Sequence, residues 1–194
     1  FGLEPSIPAI KTLKILKKYN SKNILELGAG LGRDSVYFAK NDIYTHALDY
    51  SLKGIEIINQ KIIKEGLSSK ILTKHFDVRK QLPFEDNSFD ACYSHMLYCM
   101  ALTDKDLQKL NNEIHRILRP KGLNIYTVRN NDDGDYKNGI HRGENLYEND
   151  GFIVHFFSRE KIKQTAEGFN ITNIESFEEG SFPRKLFRVI LKKI

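Results

Sequence analysis

Glycines and acids stand together near the start of this chain, where Asn23–Asp34 reads NILELGAGLGRD. A short apolar run (Ile24, Leu25, Leu27) carries one acid, Glu26. It breaks into Gly28, Ala29, Gly30, Leu31 and Gly32, then passes through Arg33 and Asp34 into a helical pattern at Ser35, Val36, Phe38 and Ala39. Strand, glycine turn and helix make the first βα unit of a nucleotide-binding sheet. Glycine permits the tight turn and lets backbone N–H groups come close to a ligand. The acids narrow the choice of ligand. A dinucleotide fingerprint, G-x-G-x-x-G, requires glycine at position 33, where this chain has arginine. Glu26 and Asp34 repel a pyrophosphate and suit a ligand with positive charge beside an adenosine.

Further acids follow at strand ends. Asp49, in HALDYS, lies about 20 residues past the glycine turn, which in a doubly wound sheet puts a carboxylate beside the first loop, at ribose position. Such a carboxylate accepts from both ribose hydroxyls, each bond to a charged acceptor being worth about 1.5–3 kcal/mol. The competing reading is a helix cap before Ser51 and Leu52. Asp77 and Val78 follow a third apolar run and suit an adenine, the acid taking the amino group and the valine lying against the ring. The competing reading is a solvated loop acid. His95 ends a fourth run, where side chains border the ligand cleft of open α/β sheets. A packing histidine is the alternative there.

The elements that must position these residues alternate. Helical patterns cover Ser6–Tyr19, 33–40, Leu52–Glu65, Asp104–Leu118 and Ser158–Ala166. Strand patterns cover 23–28, Ile43–Asp49, Ile71–Phe76, Phe89–Ser94, Leu123–Val128, Ile171–Phe177 and Leu186–Leu191. The expected fold is α/β: a doubly wound, Rossmann-like, seven-stranded sheet, mostly parallel with an antiparallel last strand and helices on both faces. At 194 residues the expectation is one domain.

Composition excludes more than it assigns. The net charge of +5 comes from scattered Lys and Arg rather than a basic patch, which gives no strong sign of nucleic-acid binding. Cys92 and Cys99 lie in one apolar stretch and read as buried thiols of a reducing compartment, which points to the cytoplasm. No apolar run reaches the roughly 18 residues of a membrane helix, and no signal peptide is visible. The chain opens on Phe1, and residues before it are expected to be missing. Oligomeric state is not legible.

Taken together, these motifs resemble those of the class I S-adenosylmethionine (SAM)-dependent methyltransferases of the small-molecule type, over nearly all of the chain. ILELGAGLGRD is similar to the family's first motif and ALDYS to its acidic second motif. FDV and LPFEDNSFDACYSHMLY resemble the adenine and fourth-strand motifs. EIHRILRPKGLNIYTV resembles the fifth-strand motif, with Lys121 at a usual glycine. The cofactor implied is SAM, whose sulfonium and ammonium supply the positive charge. The resemblance implies a cofactor set of Glu26, Gly28, Ala29, Gly30, Arg33, Asp34, Asp49, Tyr50, Ser51, Asp77, Val78 and His95. Glu26, Gly28 and His95 fall at the methionine end, Asp49 at the ribose, and Asp77 with Val78 at the adenine.

Methyl transfer from a sulfonium is an in-line displacement, so alignment supplies much of the rate. A general base is required only where the acceptor must lose a proton. His95, Tyr98 and His141 are the candidates for that role, and no metal is expected. No Asn/Asp-Pro-Pro-Tyr/Phe follows the fourth strand, which argues against amino-methylation of nucleic-acid bases. No Tyr-x-x-x-Lys occurs, which argues against a short-chain dehydrogenase. The expected partner is a small-molecule methyl acceptor. The alternatives are a protein or RNA methyltransferase, or a SAM-binding protein without transferase activity. Acceptor choice is expected in the long polar connection Asn130–Phe157, a candidate lid, with Tyr98, Arg129, Tyr136, His141, Arg142 and Tyr147 as substrate-side residues. Asp132, Asp133 and Asp135 in that connection lack a full cation ligand set. The opening FGLEPS is a second candidate lid. Both ends of the pattern are similar to the tellurite-resistance and thiopurine-type branch.

Overall fold

The computed structural model describes residues 4–180 and 184–194. In chain order the elements are α1 (Ile7–Lys18), β1 (Asn23–Leu27), α2 (Arg33–Lys40), β2 (Tyr44–Asp49), α3 (Leu52–Lys64), β3 (Ile71–His75), β4 (Phe89–His95), α4 (Asp104–Ile117), β5 (Leu118–Arg129), β6 (Ile140–His141), β7 (Leu146–Asn149), β8 (Phe152–His155), α5 (Arg159–Thr165), β9 (Phe169–Glu179) and β10 (Arg184–Lys193). The main sheet has the order β3-β2-β1-β4-β5-β10-β9. Strands β1 to β5 pair in parallel, and β10 runs antiparallel to both of its neighbours. The expected seven-stranded sheet is therefore present, and its last strand is inserted between the fifth and the sixth.

Alternation along the strands separates two apolar layers. Ile24, Ala91, Tyr93 and Ile125 pack with Leu13 and Leu16 of α1 and Phe38 of α2, while α3 joins the same face through Ile55, Ile58 and Ile62 against Ala47. Leu25, Leu27, Cys92, Tyr126 and Val128 point the other way, onto Leu107, Leu110 and Ile114 of α4 and Ile162 of α5. This is the period-two reading of a strand buried on both faces. Caps fall where the hydroxyl residues are: Ser6, Ser51, Thr103 and Ser158 each accept from a backbone N–H of the first turn, which satisfies otherwise orphaned donors. No helix among the described residues is long and apolar enough to cross a membrane.

Two segments depart from expectation. The fourth helix ends at Ile117 rather than Leu118, and β5 starts at once, because Leu118 already pairs with Phe89 across a register shift. Lys121, at a left-handed φ of 66°, makes the turn inside that strand. The connection 130–157 is not a bare polar loop but holds a three-stranded antiparallel sheet, β6-β7-β8. Glycine-bearing turns at Gly143 and Gly151 (φ 93° and 80°) reverse the chain there. Of the opening FGLEPS, residues 1–3 lie outside the described residues. Its last residue, Ser6, is buried against α2 and the sheet, where its N–H and hydroxyl donate to Asp34.

Candidate cofactor and acceptor site

In this strand order the direction of winding reverses between β1 and β4, and in open α/β sheets ligands bind in the crevice at such a switch point. The glycine turn borders it. Gly28, Gly30 and Gly32 all take positive φ, at 72°, 58° and 75°. The N–H groups of Gly28 and Ala29 donate to the Leu48 carbonyl at 2.8 and 3.1 Å, which ties the turn to β2. Gly30 N donates to Asp49 Oδ2 at 2.7 Å, and Ser51 N to Asp49 Oδ1 at 2.7 Å. Asp49 thus sits beside the turn and helps to hold it. An ionised carboxylate has about four acceptor sites, so two remain for a ligand. Among the described residues no neighbouring atom lies within 4 Å of where a Gly30 Cβ would stand, which leaves open space at the mouth of the turn. Tyr50 is exposed, and Ser51 caps α3.

The two acids of the first motif have different surroundings. Glu26 is buried at the end of β1 and accepts from the Ser35 hydroxyl. Burial first, and then the nearby Asp34, push its carboxyl well above the usual carboxylate range, against the Ser35 hydrogen bond. Asp34 turns toward α1. Its oxygens accept from Ser6 N at 2.8 Å, Ser6 Oγ at 2.7 Å and the Tyr93 hydroxyl at 3.0 Å. Arg33 lies 3.8 Å from Asp34. Asp77 is gripped by the Arg79 guanidinium at 2.8–3.2 Å, which holds it below the usual range. Val78 packs against the main core beside it.

At the ends of β4 and β5 the structure adds two residues to the site. His95 Nδ1 lies 2.8 Å from Thr127 Oγ1, and its Nε2 lies 3.3 Å from Glu179 Oε2. The Thr127 oxygen also accepts from Met96 N at 3.0 Å and keeps both a proton and a second lone pair for His95 Nδ1. A carboxylate only accepts, so a hydrogen bond to Glu179 requires the proton on Nε2, with Thr127 then donating to Nδ1. The His95 contact keeps Glu179 below the usual carboxylate range, with Arg33 and Arg184 acting in the same sense. Leu97 covers Gly28 at 3.2 Å from where a Cβ would stand. Thr127 and Glu179 escape the sequence reading. The only signal was an acid pair at a strand end before Gly180.

The substrate-side candidates divide. Tyr98 is 1% exposed and stacks on Tyr126 at 4.1 Å, its hydroxyl accepting from Asn124. It lies in the core rather than the cleft, because a tyrosine with its hydroxyl satisfied packs there like a phenylalanine. Arg129 is 7% exposed and bound to Asp133 and Asp135 over the Phe156 ring. Those acids, read from sequence as an incomplete cation set, are its counter-ions. Tyr136, Tyr147 and Phe156 pack edge-on or tilted at 5.4–6.2 Å, His141 stacks on Tyr147 at 4.9 Å, and Arg142 pairs with Glu148. The small sheet joins the ends of β4 and β5 through Phe157 N to Arg129 O and His155 N to Cys99 O, so this aromatic group stands on the β4–β5 side of the crevice.

A family model described as "Methyltransferase domain" matches residues 24–122. Phosphoethanolamine N-methyltransferase 1 of Triticum aestivum is 38% identical over 116 residues, 58% of this chain and 22% of that protein. tRNA N(3)-methylcytidine methyltransferase Mettl2 of Drosophila melanogaster is 28% identical over 156 residues, 73% of this chain and 46% of that protein. The chain thus spans less than half the length of both relatives. A solved SAM-dependent methyltransferase from Methanosarcina mazei has the same fold, with a TM-score of 0.79 at 19% identity over 93% of this chain and 97% of that one. A buried carboxyl at the end of β1, an acid beside the turn with acceptor sites left and open space at Gly30 among the described residues are compatible with a cationic adenosine cofactor. On the matched motif region the chain belongs to the methyltransferase domain family, and its fold is that of the solved SAM-dependent methyltransferase from Methanosarcina mazei.

Proposed function

We propose that the chain methylates a small-molecule acceptor that enters between the His95–Glu179 pair and the β6-β7-β8 sheet. One observation carries this reading: the Asp49-held glycine turn and the His95–Glu179 pair converge on one crevice, with an aromatic group on its β4–β5 side. SAM, when bound, supplies a methyl group already activated on a sulfonium. Asp49 has acceptor sites left for the ribose hydroxyls, and Glu26 offers the methionine end a buried carboxyl that a cation would draw into its ionised form. Asp77 and Val78 serve the adenine, Asp77 while still bound by Arg79. Holding the acceptor in line supplies much of the rate. Where the acceptor atom carries a proton, the Glu179 carboxylate, held by His95, is the group of this pair with lone pairs to take it. Tyr136 and Tyr147 supply an apolar wall for the acceptor, and His141 a polar group beside it. A cytoplasmic setting agrees with the two free buried cysteines, Cys92 and Cys99.

A second reading, tRNA as acceptor, is favoured by the Drosophila relative, which matches more of this chain than the wheat enzyme does. The scattered basic charge supports the small-molecule reading over it. The test has two stages. Calorimetry compares SAM, S-adenosylhomocysteine and NAD. Then labelled SAM is incubated with a panel of amine, hydroxyl and thiol acceptors and, separately, with tRNA. Label in a small molecule is the expected result. Label in tRNA and in no small molecule would overturn the acceptor class, and NAD binding more tightly than S-adenosylhomocysteine would overturn the cofactor assignment.

A further inference from the structure

Away from the glycine turn, three metal-ligating side chains converge where the small sheet meets the start of α4. Asp104 opens α4, Glu144 lies in the β6–β7 turn and His155 ends β8. One ligand atom of each lies within 4.8 Å of the others. Two acids alone would carry nothing, and His155 is what distinguishes the place. It is fully buried. Its Nδ1 lies 2.7 Å from the Leu102 carbonyl oxygen, which only accepts, so Nδ1 holds the proton. Nε2 is left with a bare lone pair. Among the described residues that nitrogen is buried without a hydrogen-bond partner, 3.4 Å from Asp104 Oδ1.

Asp104 is half-exposed, but the Nε2 lone pair that faces its oxygen is buried, and a buried acceptor without a donor is unfavourable unless a cation lies beside it. Lys161 places its ammonium on the same Asp104 oxygen but makes no hydrogen bond to Nε2. Histidines that bind metals donate their other ring N–H to a carbonyl or carboxylate, which fixes the tautomer and aims the free nitrogen. His155 has that arrangement. The separation fits as well: two ligands bound at about 2.0–2.1 Å to a tetrahedral zinc ion stand about 3.3–3.4 Å apart. Glu144 Oε2 already accepts from Asp104 N at 2.8 Å, which orients the third ligand.

We propose that Asp104, Glu144 and His155 form a site for a divalent transition-metal ion, zinc by ligand type, that clamps the β6-β7-β8 sheet to α4. Lys161 is its competitor: when the metal enters, the ammonium leaves Asp104. The site is independent of the methyl-transfer reading and is read by binding rather than by activity.

The test uses the full chain after chelator treatment, titrated with zinc chloride by calorimetry, with thermal unfolding followed with and without zinc. One equivalent is expected to bind and to raise the melting temperature. His155→Gln should abolish that binding. Glu144→Gln changes an exposed side chain, keeps the fold, and should weaken zinc at least about 10-fold, the lower end for disturbed metal shells. Lys161→Met removes the competing ammonium and should tighten it. No stoichiometric zinc binding in either the unaltered chain or Lys161→Met overturns the proposal. So does binding that Glu144→Gln and His155→Gln leave unchanged. If His155→Gln does not fold, Glu144→Gln and Lys161→Met decide between the outcomes.

Discussion

The glycine turn and the β6-β7-β8 sheet border the same crevice and are held by different kinds of contact. The turn is built from backbone: positive φ at three glycines, two N–H groups on the Leu48 carbonyl, and one on Asp49. Gly54 of α3 comes so close that a Cβ there would stand 2.6 Å from the Gly30 carbonyl oxygen. The small sheet has a backbone ladder of its own, but its wall and its supports are side chains: Arg129 with Asp133 and Asp135 at its base, Arg142 with Glu148, and the Tyr136, Tyr147 and Phe156 rings. A backbone site presents N–H groups and carbonyls whatever the neighbouring side chains are, which suits an invariant cofactor. A side-chain site can change its wall without rebuilding the chain path, which suits a selective acceptor.

The largest expected effect lies in the small sheet. Asp133→Ala would leave the buried Arg129 with only the half-exposed Asp135 and would remove the acceptor of Lys185 N. Removing one partner of a buried pair typically costs about 3–5 kcal/mol, readable by chemical denaturation. A loss below about 1 kcal/mol, the scale of an exposed pair, would mean that side-chain pairing does not hold this sheet. Shortening 132–143 would remove Asp133 as well, so Tyr147→Ala is the cleaner test of acceptor choice. It should leave SAM affinity within a few-fold and lower turnover roughly 10-fold or more through misplaced acceptor. Unchanged turnover would make the aromatic wall a spacer.

On the cofactor side, Asp49→Ala should weaken SAM about 10- to 100-fold, from lost hydrogen bonds of about 1.5–3 kcal/mol. Calorimetry checks it. A lowered melting temperature with unchanged affinity would leave Asp49 only as the brace of Gly30 and Ser51. Gly54→Ala inverts an ordinary rule. Alanine in a helix interior normally stabilises by about 1 kcal/mol. Here the new methyl meets backbone, so we expect destabilisation of about 1–3 kcal/mol, as in overpacking, and weaker SAM binding. A stabilised variant would show that α3 moves freely over the turn.

The smallest effect is a pH slope. Glu26 is raised above its usual value of 4.5 in the folded chain. Between that value and the raised one the folded chain holds more protons than the unfolded chain, so stability without ligand falls as pH rises through the window. A cationic ligand favours the carboxylate. SAM binding should therefore release a proton and strengthen with pH across the same window, seen by calorimetry in buffers of different ionisation enthalpy. Affinity that is flat, or that rises as pH falls, would separate Glu26 from the positive end of the ligand.

How far the chain can be read from its sequence follows the same division. Hydrophobic alternation, the glycine cluster and the caps Ser6, Ser51, Thr103 and Ser158 are local signals. They specify the strands of the main sheet, its helices and the place of Asp49 beside the turn. The β6-β7-β8 sheet was not legible because its strands are two to four residues long and carry polar residues that mask the alternation. Tyr98 and Arg129 misled because residue type does not tell whether a tyrosine hydroxyl or a guanidinium already has a partner in the core.

By itself the sequence determined the order of the main-sheet elements, the face each strand buries and the place of Glu26 and Asp49 at strand ends around the glycine turn. Each of these depends on residues close together along the chain. Only the tertiary structure decided that Glu179 returns from the far hairpin to His95, that Asp34 turns to Ser6 rather than to the cleft, and that Asp104, Glu144 and His155 meet. Those meetings join elements distant in sequence. They are set by how the sheet twists and where β10 inserts, and no spacing along the chain encodes that.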